Sequence, residues 1–336
     1  MKKTAHGIPL SATVESEMTL TKVLRLTLEV LISLFGVVGN ILVVIVISYL
    51  GKKKRPGDYY LQNLAIADLG TLIMTSPLLI IRLEMPLNWP FGEIACLYFY
   101  PVAEIFYGSS VWCIAVIAIE RYRKMSSIEI YGRNRTPIQI AKRIAAVVWV
   151  ISFLTLCFPL YFVVDYQALS NSGQFCGPIR WTHFLETVYI ICLILLTYVI
   201  PLAIISFTYI EISRVLRQSI NMTRPMKQAH HLAKSQSDKR DYLVNLNGVR
   251  LRQNIRAKKI LSPLVVIFAV TMLPLNVFRL TMVFWPEFSE QIHLLHAVVV
   301  STIINSAANP VIYSVVSRNF GKRMLNHLLC RNCSFA

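Results

Sequence analysis

Charged residues are scarce in this chain: Asp, Glu, Lys and Arg make up 15% of it, against about 25% in a soluble domain. The scarcity is one-sided, because 17 acids stand against 34 Lys and Arg, a formal charge of +17. A chain that is apolar (55% hydrophobic, mean hydropathy +0.55) and basic at once must keep its charges away from its apolar stretches. That excludes a disordered chain and an ordinary soluble enzyme. Seven cysteines in 336 residues are too few for a secreted disulfide scaffold. No soluble domain is left to carry nucleic-acid binding, despite an isoelectric point near 9.7. The ten-residue alternation of transmembrane β-strands is absent, as is any internal repeat. A polytopic helical membrane protein is what remains.

Long apolar runs are plentiful. Seven of them, near 26–50, 61–81, 94–119, 144–164, 187–210, 260–278 and 291–317, suffice to cross a hydrocarbon core of about 30 Å, which takes roughly 20 residues of helix. The last four contain no Asp, Glu, Lys or Arg, and the first three contain one acid each: Glu29, Asp68 and Glu104. The fold expected is all-α, a seven-transmembrane helix bundle. Its parts are an outer amino terminus (1–25), a transmembrane domain (26–317) with a third inner loop at about 214–259, and a tail (318–336). Of the 34 cations, 27 lie in the connections after the first, third and fifth runs and in the tail. Loops rich in Lys and Arg stay in the cytoplasm, so the expected placement is a multi-pass plasma-membrane protein with its amino terminus outside. The outer side holds seven cations and ten acids. Such a vestibule favours a cationic ligand, although acids are also simply tolerated there. The first run reads as a retained signal anchor, which leaves no large ectodomain. The sequons at Asn134, Asn221 and Asn332 all fall on the cytoplasmic side.

Asp68 lies in mid-span, where a charge costs about 2.5–3.5 kcal/mol on insertion scales, so it must face the bundle interior. Polar residues of other spans, Asn40, Ser110, Asn305, Ser306 and Asn309, are its candidate partners. Two readings stand side by side: Asp68, Ser110, Asn305 and Asn309 hold Na+ as an allosteric ion, or the cluster is a polar network that stitches helices together. Glu120-Arg121-Tyr122 closes the third run, and Asn309-Pro310-Val311-Ile312-Tyr313 puts a proline inside the seventh. The spans offer no convergent nucleophile and base, so no enzyme is expected. Nor do the two halves share the matched broken helices of transporters.

Glu120-Arg121-Tyr122 resembles the D/E-R-Y motif of the rhodopsin-like (class A) G-protein-coupled receptors, and Asn309-Pro310-Val311-Ile312-Tyr313 resembles their N-P-x-x-Y motif. Gly39-Asn40, Asp68, Trp149, Pro201, Phe268 and Pro274 follow the same pattern in order, from about residue 30 to 330. The resemblance implies a disulfide between Cys96 and Cys176 and a Trp-x-Phe-Gly turn at Trp89-Pro90-Phe91-Gly92. It also implies that an outside ligand opens the cytoplasmic side to a heterotrimeric G protein. Arg121 would then leave Glu120, with Tyr122 beside it, while Tyr209 and Tyr313 move beneath Pro201 and Pro310. From Phe320 to Leu328 the tail is amphipathic, as the family's eighth helix would be, lying on membrane lipid. Cys330 and Cys333 after it are candidates for palmitoylation. Arrestin recruitment would rest on Ser235, Ser237 and their neighbours, because the tail has a single serine, Ser334.

Two departures stand out. Thr271-Met272 replaces the family's usual Cys-Trp before Pro274, so the aromatic switch attributed to that Trp is lost, while a flexible Met272 is still able to couple pocket to core. Asn254 stands where some members place a Glu that locks Arg121. Ile303 removes the lysine that retinal needs, and Ala103 the Asp that amine receptors use, although Glu104 is adjacent. The Met272-to-Phe278 run and Ala141-Lys142-Arg143 resemble receptors of the neuropeptide Y, RFamide and tachykinin neighbourhood, and the outer loop 165–182 suits a peptide. The expected ligand is an extracellular neuropeptide bound by Glu104, Arg279, Tyr107, Tyr100, Asn276, Tyr189 and His296. Alternatives are a small molecule such as an amine or lipid, a constitutively active receptor, and, distantly, a transporter. Glu104 and Arg279 either meet the ligand or pair with each other. With no acid at position 254, the inactive lock is weakened. Cells expressing the chain are therefore expected to signal above vector control without ligand; a signal equal to the control overturns the weak-lock expectation.

Overall fold

Hydrocarbon offers the backbone no hydrogen-bond partner, so each apolar run closes its bonds within itself as a helix. The computed structural model describes residues 19–51, 54–86, 88–126, 138–168, 173–232, 238–285 and 292–316. Among the described residues seven helices are long and apolar enough to cross a membrane: α1 (Leu20–Ser48), α2 (Pro56–Glu84), α3 (Gly92–Met125), α4 (Ile138–Val163), α5 (His183–Gln218), α6 (Ser262–Phe284) and α7 (His293–Ser314). The protein is a multi-pass membrane protein with a seven-helix bundle. α3 and α7 are the most buried and α1 and α5 the least. α3 touches α2, α4 and α5, while α7 closes the ring between α6 and α1.

The helices outrun the apolar segments that announce them. α2 starts at Pro56 because Arg55 caps it, its N–H donating to Asp58 Oδ2 at 3.0 Å. The expected inner loop 214–259 is mostly helix, since α5 continues to Leu232 and α6 begins at Asp238. Hydropathy marks where a helix leaves the membrane, not where it ends.

Four helices carry one widened, π-helical turn, at Thr71–Thr75, Ala95–Phe99, Phe153–Cys157 and Leu195–Val199. Each lies two residues ahead of a proline: Pro77, Pro101, Pro159 and Pro201. Proline has no N–H and its ring crowds the carbonyl four residues back. In all four cases the residue before the proline donates to the carbonyl five residues back, as Phe158 N does to Phe153 O at 2.8 Å. The inserted turn absorbs the proline without leaving the helix.

Beyond α4 the chain forms a hairpin, β1 (Val164–Ala168) against β2 (Gln174–Pro178), antiparallel with Tyr166 opposite Cys176. It is pinned twice: Cys96 at the start of α3 is disulfide-bonded to Cys176, and Trp89 N donates to Gln174 O at 2.7 Å. Gly92 turns with φ +73°, and Trp89 Nε1 donates to its carbonyl at 2.9 Å. Local pairing accounts for much of the acidity expected on this side. Glu84 meets Lys22 at 2.5 Å and Arg25 at 2.6 Å, Glu29 meets Arg25 at 3.4 Å, and Asp165 meets Arg180 at 2.9 Å.

Close helix contacts run through glycine. A methyl group on Gly36 of α1 would lie 2.8 Å from Ala307 Cβ and 3.0 Å from its Cα on α7. Neither atom can swing aside. Gly36→Ala is therefore expected to lower stability by about 1–3 kcal/mol, the usual cost of overpacking. A thermal-unfolding midpoint in detergent equal to that of the parent would contradict this contact.

Candidate functional site

Toward the amino-terminal end the bundle holds a polar cluster roofed by the hairpin. Tyr100, Glu104 and Tyr107 recur at helical spacing and share one face of α3. On α6, Arg279 is 8% exposed. Its Nη2 lies 4.0 Å from Glu104 Oε2, its Nη1 donates to Thr197 Oγ1 at 3.0 Å, and its guanidinium stands 5.3 Å from the centre of the Tyr107 ring. The pair Glu104–Arg279 is thus an ion pair at its distance limit, supplemented by a hydroxyl and an aromatic face. Tyr107 hydroxyl contacts Thr197 Oγ1 at 3.4 Å and Met272 Sδ at 3.6 Å. Met272 is fully buried directly beneath.

Other residues of the expected pocket are engaged differently. Tyr100 accepts from Arg82 Nη1 at 2.5 Å and lies under the same guanidinium. Tyr189 stacks on Trp181, with centroids 5.0 Å apart, and donates to Leu156 O at 2.9 Å. Asn276 donates to Met272 O at 2.7 Å, leaving its Oδ1 buried with no hydrogen-bond partner. His296 is half-buried on α7 and His293 is exposed. Sequence reasoning passed over Thr197 and Arg82. The signal for Thr197 was weak, a lone hydroxyl in an apolar run that also satisfies itself on Leu193 O at 2.8 Å.

Below this cluster sits the polar core. Asp68 accepts from Ser110 Oγ at 2.7 Å and from Asn309 Nδ2 at 2.8 Å, joining α2, α3 and α7. Asn305 is turned away and accepts from Thr271 at 3.1 Å, a link from α7 to α6. Asn40 donates to Gly36 O at 2.9 Å and Ser306 O at 3.1 Å, holding α1 to α7. Among the described residues no group of three or more His, Cys, Asp or Glu is arranged to hold a metal ion.

At the cation-rich end, Glu120 forms its ion pair with Lys124, one turn along α3, at 3.0 Å. Arg121 reaches toward the start of α2, where a methyl group on Gly57 would lie 3.8 Å from its Nη2. Tyr122 meets Phe207 edge-on at 6.2 Å, and Lys258 Nζ lies 5.8 Å from the Tyr209 ring centre. Tyr313 is buried, its hydroxyl without a hydrogen-bond partner. Pro274 and Pro310 are built into the continuous α6 and α7. Cys330, Cys333, the tail, Ser235 and Ser237 lie outside the described residues, as does the side chain of Asn254.

The family described as 7 transmembrane receptor (rhodopsin family) matches residues 39–313. The chain is also similar to somatostatin receptor type 4 of Rattus norvegicus, 26% identical over 304 residues that span 90% of this chain and 72% of the relative. Neuromedin-U receptor 2 of Mus musculus is 27% identical over 305 residues, 86% of this chain and 71% of the relative. Somatostatin receptor type 2 of Sus scrofa is 27% identical over 315 residues, 89% and 75%. The match spans every one of α2 to α6 and the motif-bearing parts of α1 and α7, so the chain belongs to the rhodopsin family of seven-transmembrane receptors and is a receptor, not an enzyme.

Proposed function

We propose that the chain is a plasma-membrane receptor, its amino terminus outside, that binds a peptide and opens its cation-rich cytoplasmic side to a heterotrimeric G protein. The observation that carries this reading is the half-made pair of Glu104 and Arg279 beneath the hairpin. A 4.0 Å separation leaves the two groups short of a direct hydrogen bond to each other, with Arg279 buried and the Glu104 side chain 25% exposed, so that Glu104 is open to a ligand. A peptide brings what each lacks: a cationic group for Glu104, a carbonyl or carboxylate for Arg279, and an N–H for Asn276 Oδ1. The relatives named as somatostatin and neuromedin-U receptors belong to the peptide receptor group, which supports the same ligand class.

A ligand shifts the bundle only if it binds the open state more tightly. The route available is short. A ligand that draws Arg279 to itself takes it from Tyr107 and Thr197, and Tyr107 rests on Met272. Met272 adjoins Thr271, whose bond to Asn305 ties α6 to α7 above the Asp68–Asn309 link and Tyr313. Opening at the far end would free Arg121 and move Tyr209 and Tyr313. Na+ in the core would be held by Asp68 and Ser110, with the side-chain oxygen of Asn309 as a further ligand; in the arrangement seen here three donors, Ser110, Asn309 and Ser306, satisfy the carboxylate instead.

The test is a G-protein dissociation assay across several Gα classes, in cells expressing the chain and exposed to amidated neuropeptides and biogenic amines. A nanomolar peptide response is expected, and a response to an amine alone overturns the peptide reading. Glu104→Gln is expected to raise the EC50 at least about tenfold, as for a desolvated charge pair. If Glu104→Arg with Arg279→Glu restores the response, the two residues act on each other rather than on the ligand.

The Tyr107→Phe change removes one hydroxyl and keeps the ring under Arg279. Its expected effect is to cut the maximal response by half or more, with peptide affinity held within about threefold. An equal fall in affinity and response would make Tyr107 a binding residue and not a relay.

A further inference from the structure

Between Glu186 and Glu211 α5 carries no charge, and between Lys259 and Arg279 α6 carries none. The charges that follow on the cation-rich side close around one cavity. It measures about 290 Å³ and lies between the ends of the two helices, lined by Tyr209, Ile210, Ser213, Arg214, Arg217 and Lys258. Three of the six are cations. The acid beside them, Glu211, is engaged by Arg214 at 2.5 Å. Among the described residues Arg217 and Lys258 form no ion pair; Lys258 only covers the Tyr209 ring. Ser213 supplies a second, independent sign: its Oγ is buried and has no hydrogen-bond partner. A buried hydroxyl left unpaired is destabilising, and here it lines a cavity ringed by positive charge.

We propose that this cavity binds the phosphomonoester headgroup of an anionic lipid from the membrane leaflet on the cation-rich side. The chemistry follows from the donor set. The guanidinium of Arg217 and the ammonium of Lys258, with Arg214 held beside them by Glu211, suit the clustered oxygens and charge of a phosphomonoester, and Ser213 donates to one of those oxygens. The source follows from depth. The cavity begins where the uncharged stretches of α5 and α6 end, so it sits at the level of headgroups, and the neighbouring Phe207 (57% exposed) and Ile210 (47% exposed) face outward where acyl chains would lie. Basic pockets between membrane helices on the cytoplasmic side are suited to such headgroups. A bound headgroup would bridge the cation-rich ends of α5 and α6. Binding requires neither the peptide nor the G protein, so the site stands apart from the function proposed above.

The full-length receptor in detergent micelles, free of agonist and G protein, is titrated by native mass spectrometry with phosphatidylinositol 4-phosphate, phosphatidylserine and phosphatidylcholine. Soluble glycerophosphoinositol 4-phosphate forms a separate arm. Phosphatidylinositol 4-phosphate is expected to bind best. Arg217→Gln with Lys258→Gln is expected to weaken it about tenfold or more, and Ser213→Ala about two- to threefold. Lys142→Gln with Arg143→Gln removes the same charge from exposed positions on the same side and is expected to leave binding unchanged. The proposal is overturned if the two double variants lose binding equally, if neither loses any, or if phosphatidylserine binds as well. If the soluble headgroup binds as tightly as the lipid, the membrane source is overturned. Should the Arg217/Lys258 variant unfold, Ser213→Ala decides, since it removes one oxygen and no charge; unchanged binding there overturns the site.

Discussion

A charge carried into a low-dielectric interior must find its counterpart inside the protein, and the arrangement of this bundle turns on how each charge does so. Where the amino-terminal end of α1 meets the carboxy-terminal end of α2 the solution is local, with Lys22 and Arg25 gathered on Glu84 and Glu29. At mid-depth Asp68 is met by Ser110 and Asn309 from two other helices, so one acid fixes the spacing of three helices. Between these levels Glu104 and Arg279 are only loosely matched, with Tyr107 and Thr197 completing the shell of the cation. The well-paired charges hold the bundle together. The poorly paired ones lie beneath the hairpin, at the site proposed above for the ligand.

Small residues and prolines decide how closely the helices that carry these charges approach. Gly36 lets α1 reach Ala307 of α7, and the side chain of Phe106 lies in the space beside Gly70. Four of the seven helices accommodate a proline by widening the preceding turn, whereas α6 and α7 carry Pro274 and Pro310 in continuous helix. The same residue type is thus handled in two ways within one bundle.

Much of this was legible in the residues. Hydropathy located all seven spans, because a membrane helix must be apolar over a length the bilayer sets. What it cannot see is the helix beyond the bilayer, and so 214–259 read as a loop although α5 reaches Leu232. The motifs marked Asp68, Arg121, Asn309 and Tyr313 as interior residues, but not which neighbours they meet. Glu120 pairs with Lys124, since a partner one turn away on the same helix is always within reach. Asn305 turns to Thr271 instead of Asp68, a choice made by helix rotation that no spacing in the chain encodes. Thr197 and Arg82 escaped notice for a similar reason: a single hydroxyl and a cation near a span end are common, and only packing gives them a partner.

The widened turns have a further consequence for how the receptor's mouth can change. One extra residue in a helix rotates everything beyond it by about 100°. The turn at Leu195–Val199 therefore sets the azimuth of the whole amino-terminal part of α5, Tyr189 included, relative to the part below Pro201. Deleting a single residue there would swing Tyr189 and the outer wall of α5 to a new face and leave Tyr209, Ser213 and the far end of α5 where they are. Insertions and deletions are usually confined to loops; in this architecture they become a means of altering selectivity from within a membrane-spanning helix, one residue at a time.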